Sequence, residues 1–224
     1  MSRRSSANSK PPAETDGQVK RDLLKAARRL LSTLGQEGAT SRAICAEVGV
    51  SAPTMYHHYG DLAGLHRAAI DETYLQVAEA YRRNAKEKGP QQGLRAGWAA
   101  FNQFAHEEPR MCRLVIQQIL AGKPPSTVAA TLSDVTDDLA NLHASGSLRV
   151  RPYEAVQLLW MATLGSACFT ASEGSDEDLY PSLQQSMIEM VLQSLFRDAD
   201  ESSGIDGGQL VNDEGVMQSG PSGG

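Results

Sequence analysis

Residues Thr40 to Tyr59 read TSRAICAEVGVSAPTMYHHY. The spacing predicts two short helices broken by a tight turn. The first runs from about Ser41 to Glu47, with Ile44 and Val48 as apolar anchors. Gly49 supplies the turn, because a residue without Cβ takes positive φ at little cost. Val50 then points back to the core. Ser51 stands at the N-cap of a second helix, and Pro53 falls in its first turn, where a missing N–H costs nothing. Ile44, Val48, Val50 and Met55 are expected to pack together. Ala52, Pro53, Thr54, Tyr56, His57 and His58 are then expected to face outward. Lys and Glu are the usual residues of a merely solvated face. Small, hydroxyl and imidazole groups suit a DNA groove and its phosphates. This is a helix-turn-helix arrangement, whose second helix enters the major groove N-terminus first.

The same residues carry a family resemblance. Thr40, Ile44, Ala46, Gly49-Val50-Ser51, Pro53-Thr54-Met55-Tyr56 and His58-Tyr59 resemble the DNA-binding module of the tetracycline-repressor (TetR) family. The resemblance spans roughly Gln18 to Ile70. It implies an all-α, nine-helix TetR-like fold, with a helix-turn-helix head and a helical ligand-binding and dimerisation body. It also implies that Tyr56 and His58 clamp phosphates, with Thr40 and Thr54 helping. Two positions depart from the family pattern. Tyr59 stands where Phe is usual. Leu62 stands where a Lys usually meets a phosphate, and Leu62 cannot do that.

Arg or Lys against guanine is the commonest specific base contact, and the second helix has neither. Base reading falls to Thr54 and His57, with Ala52 and Pro53 against thymine methyls and Ser51 at the helix mouth. Arg42, on the preceding helix, is the guanidinium able to reach in. The net charge of −6, taken alone, opposes a polyanion. Its distribution removes the objection. Residues 1–70 hold ten Lys/Arg against six Asp/Glu, whereas residues 71–224 hold eleven against twenty-one. A nucleic-acid partner belongs to the first third. A face of α-helical character there carries Lys20, Arg21, Lys25, Arg28 and Arg29, one or two of which are expected at phosphate.

Helical periodicity runs through most of the chain. Val19, Leu23, Ala26, Leu30 and Leu34 repeat at helical spacing, and Gly35 ends that run. Asp61 is placed to cap a long helix from about Leu62 to Lys88. Further helices are expected from about Gln91 to Glu107, Pro109 to Ala121, Pro125 to His143, Pro152 to Ser172 and Asp176 to Arg197. The resulting division is a disordered basic arm over 1–15, a DNA-binding head over 16–70, a helical body over 71–200 and a Gly/Ser-rich disordered tail over 201–224.

The body shows no metal-ligand spacing, catalytic triad or phosphate-binding glycine loop, so no metal, cofactor or enzymatic activity is expected. Cys45, Cys112 and Cys168 are odd in number and far apart, which points to reduced thiols and a cytoplasmic protein. No apolar run reaches the ~20 residues of a membrane span. Large apolar residues concentrate in the body. A pocket for a small hydrophobic or aromatic effector is expected from Trp98, Phe101, Met111, Ile116, Gln117, Trp160 and Phe169. The last two helices are the most apolar. They are either simple core or a hairpin that pairs with its copy, and the resemblance favours a homodimer through Leu164, Gly165, Cys168, Met187, Val191 and Leu195. The expected function is a repressor released from a palindromic double-stranded operator by that effector. The alternative is a regulator of the same fold without a ligand, controlled by a protein partner or by its cysteines.

Overall fold

The computed structural model describes residues 13–170 and 180–197. Nine helices occur among them: α1 (Ala13–Gly38), α2 (Ser41–Val48), α3 (Ala52–Tyr59), α4 (Leu62–Lys88), α5 (Pro90–Glu107), α6 (Pro109–Leu120), α7 (Ser126–Ala144), α8 (Pro152–Thr170) and α9 (Tyr180–Leu195). The expected arm over 1–15 lies outside the described residues except for 13–15, which are already helical. The tail over 201–224 and the start of the last helix at Asp176 also lie outside them.

The predicted punctuation is where the chain turns. Gly35 sits inside α1 with φ 72° and ψ −172°, so the regular helix stops there and one further turn follows. Gly49 takes the left-handed conformation, φ 74° and ψ 31°, and its N–H donates to the Cys45 carbonyl at 2.9 Å. A side chain at either position would be strained by that φ alone. Asp61 caps α4 by accepting from the Gly64 N–H at 2.5 Å. The α7 N-terminus has no cap from its own sequence. Asp71 of α4 supplies one, accepting from the Thr127 N–H at 2.9 Å and the Ser126 hydroxyl at 2.8 Å.

Two apolar clusters organise the packing. One joins α1, α2, α3 and the first half of α4 to the inner faces of α5 and α6. It contains Leu23, Leu31, Ile44, Met55, Leu65, Ile70, Phe101, Met111 and Val115. The other lies further along, around Tyr81, Leu94, Trp98, Leu139, Leu159, Ile188 and Leu195. Each fully buried Leu, Ile or Met contributes roughly 1.5–3 kcal/mol relative to exposure. The expected boundary at residue 70 therefore falls inside α4 and inside a shared core, not in a linker. Glycine brings α4 and α5 close: a Cβ on Gly93 would stand 2.6 Å from the Ala85 Cβ. Against the expectation of helix alone, Leu148 and Phe196 form an isolated antiparallel bridge, flanked by Arg149 N–H donating to the Leu195 carbonyl at 2.7 Å. It pins the α7–α8 loop to the end of α9.

Candidate nucleic-acid interface and body cleft

Ile44 and Met55 are fully buried, with Val48 and Val50 packed beside them, so α2 and α3 are held as one rigid corner. Outside the corner, Thr40, Arg42, Ser51, Pro53, Tyr56 and His57 are exposed, and Ala52 and Thr54 are half-buried. Thr40 caps α2, its hydroxyl accepting from the Ala43 N–H at 3.2 Å. Ser51 has N-cap backbone angles, but its hydroxyl does not cap the helix. It pairs with the Thr54 hydroxyl at 2.9 Å. The two hydroxyls thus form one polar unit at the mouth of α3.

His58 departs from the expectation of an outward residue. Its side chain is only 5% exposed, with Nε2 at 3.5 Å from Asp16 Oδ1. The cause is helical spacing: His58 follows the buried Met55 by three residues and shares its face. His57, one position earlier, takes the open side, with its ring 5.4 Å from that of His58. Tyr59 turns inward too. Its hydroxyl donates to the Lys20 carbonyl at 2.7 Å, and the Lys20 ammonium lies 5.8 Å from the ring centre. Leu62 packs against the apolar cluster.

The cationic face of α1 is partly committed to structure. Arg28 pairs with Glu108, the residue between α5 and α6. Arg29 donates to Glu47 of α2 at 2.7 Å and, through its hydrogen bond, holds the Glu47 carboxyl below the usual carboxylate range. Lys20, Arg21 and Lys25 stay exposed beside the head. The sequence shows five cations on this face but not their long-range acidic partners, 18 and 80 residues away.

The body holds a narrow apolar cleft of about 100 Å³. Its walls come from α4 (Tyr74, Val77, Tyr81), α5 (Leu94, Gly97, Trp98, Phe101), α7 (Val128, Thr131, Leu132, Val135), α8 (Val156, Leu159, Trp160, Thr163) and Ile188 of α9. Of the residues expected at a pocket, Trp98, Phe101 and Trp160 line this cleft. Met111, Ile116, Gln117 and Phe169 do not. The apolar face of α6 turns to the head, which buries Met111 and Ile116 in the first cluster. Gln117 borders a separate surface hollow near His66 and Arg67. Phe169 is 62% exposed and stacks on Tyr180. The walls on α4 and α7 were missed, although Tyr74, Val77 and Tyr81 recur at helical spacing and marked that face. Burial pushes the Tyr74 and Tyr81 hydroxyls well above the tyrosine range, so both stay neutral.

On α8 and α9, Tyr153, Met161, Phe169, Leu183 and Met190 are half exposed or more. Cys168 is exposed, Leu164, Gly165, Met187 and Val191 are half-buried, and Leu195 is fully buried within its own subunit. Leu195 is therefore core and unavailable to a second chain. Among the described residues, no helix is long and apolar enough to cross a membrane, and no group of three His, Cys, Asp or Glu could hold a metal ion.

A helix-turn-helix corner mounted on a helical body with an apolar cleft defines a DNA-binding regulator. The family model of the bacterial regulatory proteins of the tetR family matches residues 23–69. The head therefore carries the DNA-binding domain that this family model describes. Solved structures share its fold. SmeT, the repressor of the Stenotrophomonas maltophilia multidrug efflux pump SmeDEF, aligns with 80% of this chain and 91% of its own at 21% identity, TM-score 0.62. A TetR-family regulator from Pectobacterium atrosepticum aligns with 84% of this chain and 99% of its own at 19% identity, TM-score 0.63. Another from Marinobacter aquaeolei VT8 aligns with 84% and 100% at 19% identity, TM-score 0.61. No curated protein sequence matches the chain.

Proposed function

We propose that the protein is a homodimeric repressor that grips a palindromic operator and is released when a neutral, largely apolar molecule fills the body cleft. One observation carries this reading: a single helix, α4, belongs to both parts. Its Leu65, Ala69 and Ile70 close the head core, and its Tyr74, Val77 and Tyr81 line the cleft. Cleft and head cannot move independently of that rod.

Further ties pass the motion on. Tyr81 donates to Asp138 and Arg82 to Asp134, at 2.5 and 2.6 Å, fastening α4 to α7. At the start of α6, Glu108 holds Arg28 and Arg110 donates to the Thr33 carbonyl, both on α1. A ligand that spreads α4 from α7 tilts the head. Two heads in successive major grooves must sit about 34–36 Å apart, and a tilt spoils that spacing. By linkage, ligand and DNA then weaken each other by the same factor.

At the DNA, Tyr56 donates to phosphate, as do Thr40 and the exposed α1 lysines. The Ser51–Thr54 hydroxyl pair, His57 and Arg42 meet base edges, and Ala52 and Pro53 pack on thymine methyls. His58 acts from beneath, positioning His57 and α3. The exposed apolar residues of α8 and α9 join two subunits, which brings the heads to one side of the dimer.

The test begins with selection of duplexes from a random pool. Binding to the selected site should weaken steeply as salt rises, because phosphate contacts release counterions. Tyr56→Ala should weaken it roughly tenfold or more, the worth of a hydrogen bond to a charged group. Binding that ignores salt, or a Tyr56→Ala variant as tight as the parent, would refute the DNA assignment. An effector should raise the melting temperature while releasing DNA; at a hundred times its dissociation constant it stabilises the fold by about 2.7 kcal/mol. A compound that stabilises the protein and leaves DNA affinity unchanged would refute the coupling.

A further inference from the structure

Trp98, which lines the cleft and also borders the neighbouring hollow between α5 and α9, carries a polar atom that the fold leaves unused. Trp98 is 6% exposed, and its buried indole Nε1 has no hydrogen-bond partner. Buried donors rarely go without an acceptor. None of the polar groups nearby accepts from it. Thr131 and Thr163 donate to the Thr127 and Leu159 carbonyls one turn back. Tyr81 donates to Asp138. Asn102, one turn along α5, is occupied at both ends: its amide donates to the Trp98 carbonyl at 3.0 Å, and its oxygen accepts from Ser166. Asn102 is held in place by these two bonds.

The rest of the wall sets the remaining chemistry. Among the described residues, no Asp, Glu, Lys, Arg or His lines the cleft. A carboxylate or an ammonium would enter without a counter-charge and lose its hydration. A pure hydrocarbon would fit but leave the indole N–H unmet. A neutral ring compound with an acceptor oxygen satisfies both conditions.

We propose that Trp98 reads a hydrogen-bond acceptor oxygen, carbonyl or ether, on a neutral and otherwise apolar effector. The proposal rests on the reading of the cleft as the effector site and adds the chemical class of the effector and the residue that selects it. Asn102 and Ser166 act as positioning residues, fixing the turn of α5 that aims the indole.

Matched probes test it on the full-length protein. Fluorenone and fluorene share one ring frame and differ by a carbonyl; benzophenone and diphenylmethane form a second such pair. The chain has two tryptophans, Trp98 and Trp160, so isotope-labelled protein gives two indole N–H resonances. Trp160→Phe identifies which is which. The ketones should move the Trp98 resonance downfield and bind roughly tenfold tighter than their hydrocarbons, as a hydrogen bond of ordinary strength implies. In Trp98→Phe, the advantage of each ketone over its matched hydrocarbon should vanish. If ketone and hydrocarbon bind equally and the Trp98 resonance responds alike to both, the assignment to Trp98 is wrong and the cleft reading stands. If no probe of either pair binds, by melting or by resonance shift, the cleft reading fails and takes this proposal with it. If Trp98→Phe does not fold, the resonance shift in the parent protein still decides.

Discussion

His58 marks what a residue can and cannot reveal from its place in the chain. The motif around it was legible, because glycine, proline and alternating anchors impose the helix-turn-helix corner from local rules alone. Its orientation was not, because a motif names residue types whereas burial follows from the partner across the interface, here Asp16 of α1. Tyr59 shows the same limit. Its identity reads as a small departure from Phe, and only the fold reveals that its hydroxyl reaches Lys20. The cysteines could be read only in number. In the structure, Cys45 and Cys112 are buried and Cys168 is exposed. Burial pushes the Cys112 thiol up to about 12, so it carries no thiolate at neutral pH. A thiol reagent should therefore label Cys168 in the native protein and all three only after denaturation. Rapid native labelling of Cys112 would contradict this burial and revive control by cysteine oxidation.

At the level of elements, helix positions followed closely from periodicity and breakers, because both are local. The contacts that lock helices together are not. Asp71 capping α7 joins residues 55 and 56 apart in sequence. Replacing Asp71 with Ala should cost about 0.5–2 kcal/mol, the usual worth of a helix cap, measurable by denaturant unfolding. An unchanged midpoint would show that the cap is dispensable. The α5–α9 contact gives a pH signature. Arg95 donates to both Glu189 oxygens at 2.9 and 2.8 Å and holds that carboxyl below the ordinary glutamate range. The folded state thus favours the ionised form. Its stabilisation is present above the unfolded value, near ~4.3, and is lost as pH falls through the depressed folded one. The pair is partly open to solvent, so its worth is roughly 1 kcal/mol or less. The melting gap between the parent and Glu189→Gln should be steady near neutrality and close in acid. A gap that persists at low pH would assign the effect to packing.

At the level of the whole molecule, the class of protein was legible and the cleft was legible only in part. Large apolar side chains advertise burial without saying on which side of a helix pair it occurs. That is why Trp98 and Trp160 line the cleft and Met111 and Ile116 do not. The surface proposed for dimerisation narrows in the same way. Leu195 is core, whereas Met161 and Met190 are 61% and 63% exposed in the single subunit. Met190→Lys or Met161→Lys should leave the subunit folded and break the dimer, since a charge buried unpaired at the interface costs several kcal/mol, roughly. Sedimentation should show a monomer with unchanged helical content. A persistent dimer would move the interface off α8 and α9.

Because α4 passes through the boundary without a break, the head cannot be exchanged as a cassette. Cutting at residue 70 divides a rod, and joining a foreign body there fixes the angular phase of the two halves. Each residue inserted would turn one half by about 100° and advance it 1.5 Å. One extra residue therefore points the reading face away from its groove. Four nearly restore it, leaving a twist of roughly 40°. Chimaeras of this protein with its relatives should succeed or fail by the count of residues in α4, more than by the identity of those residues.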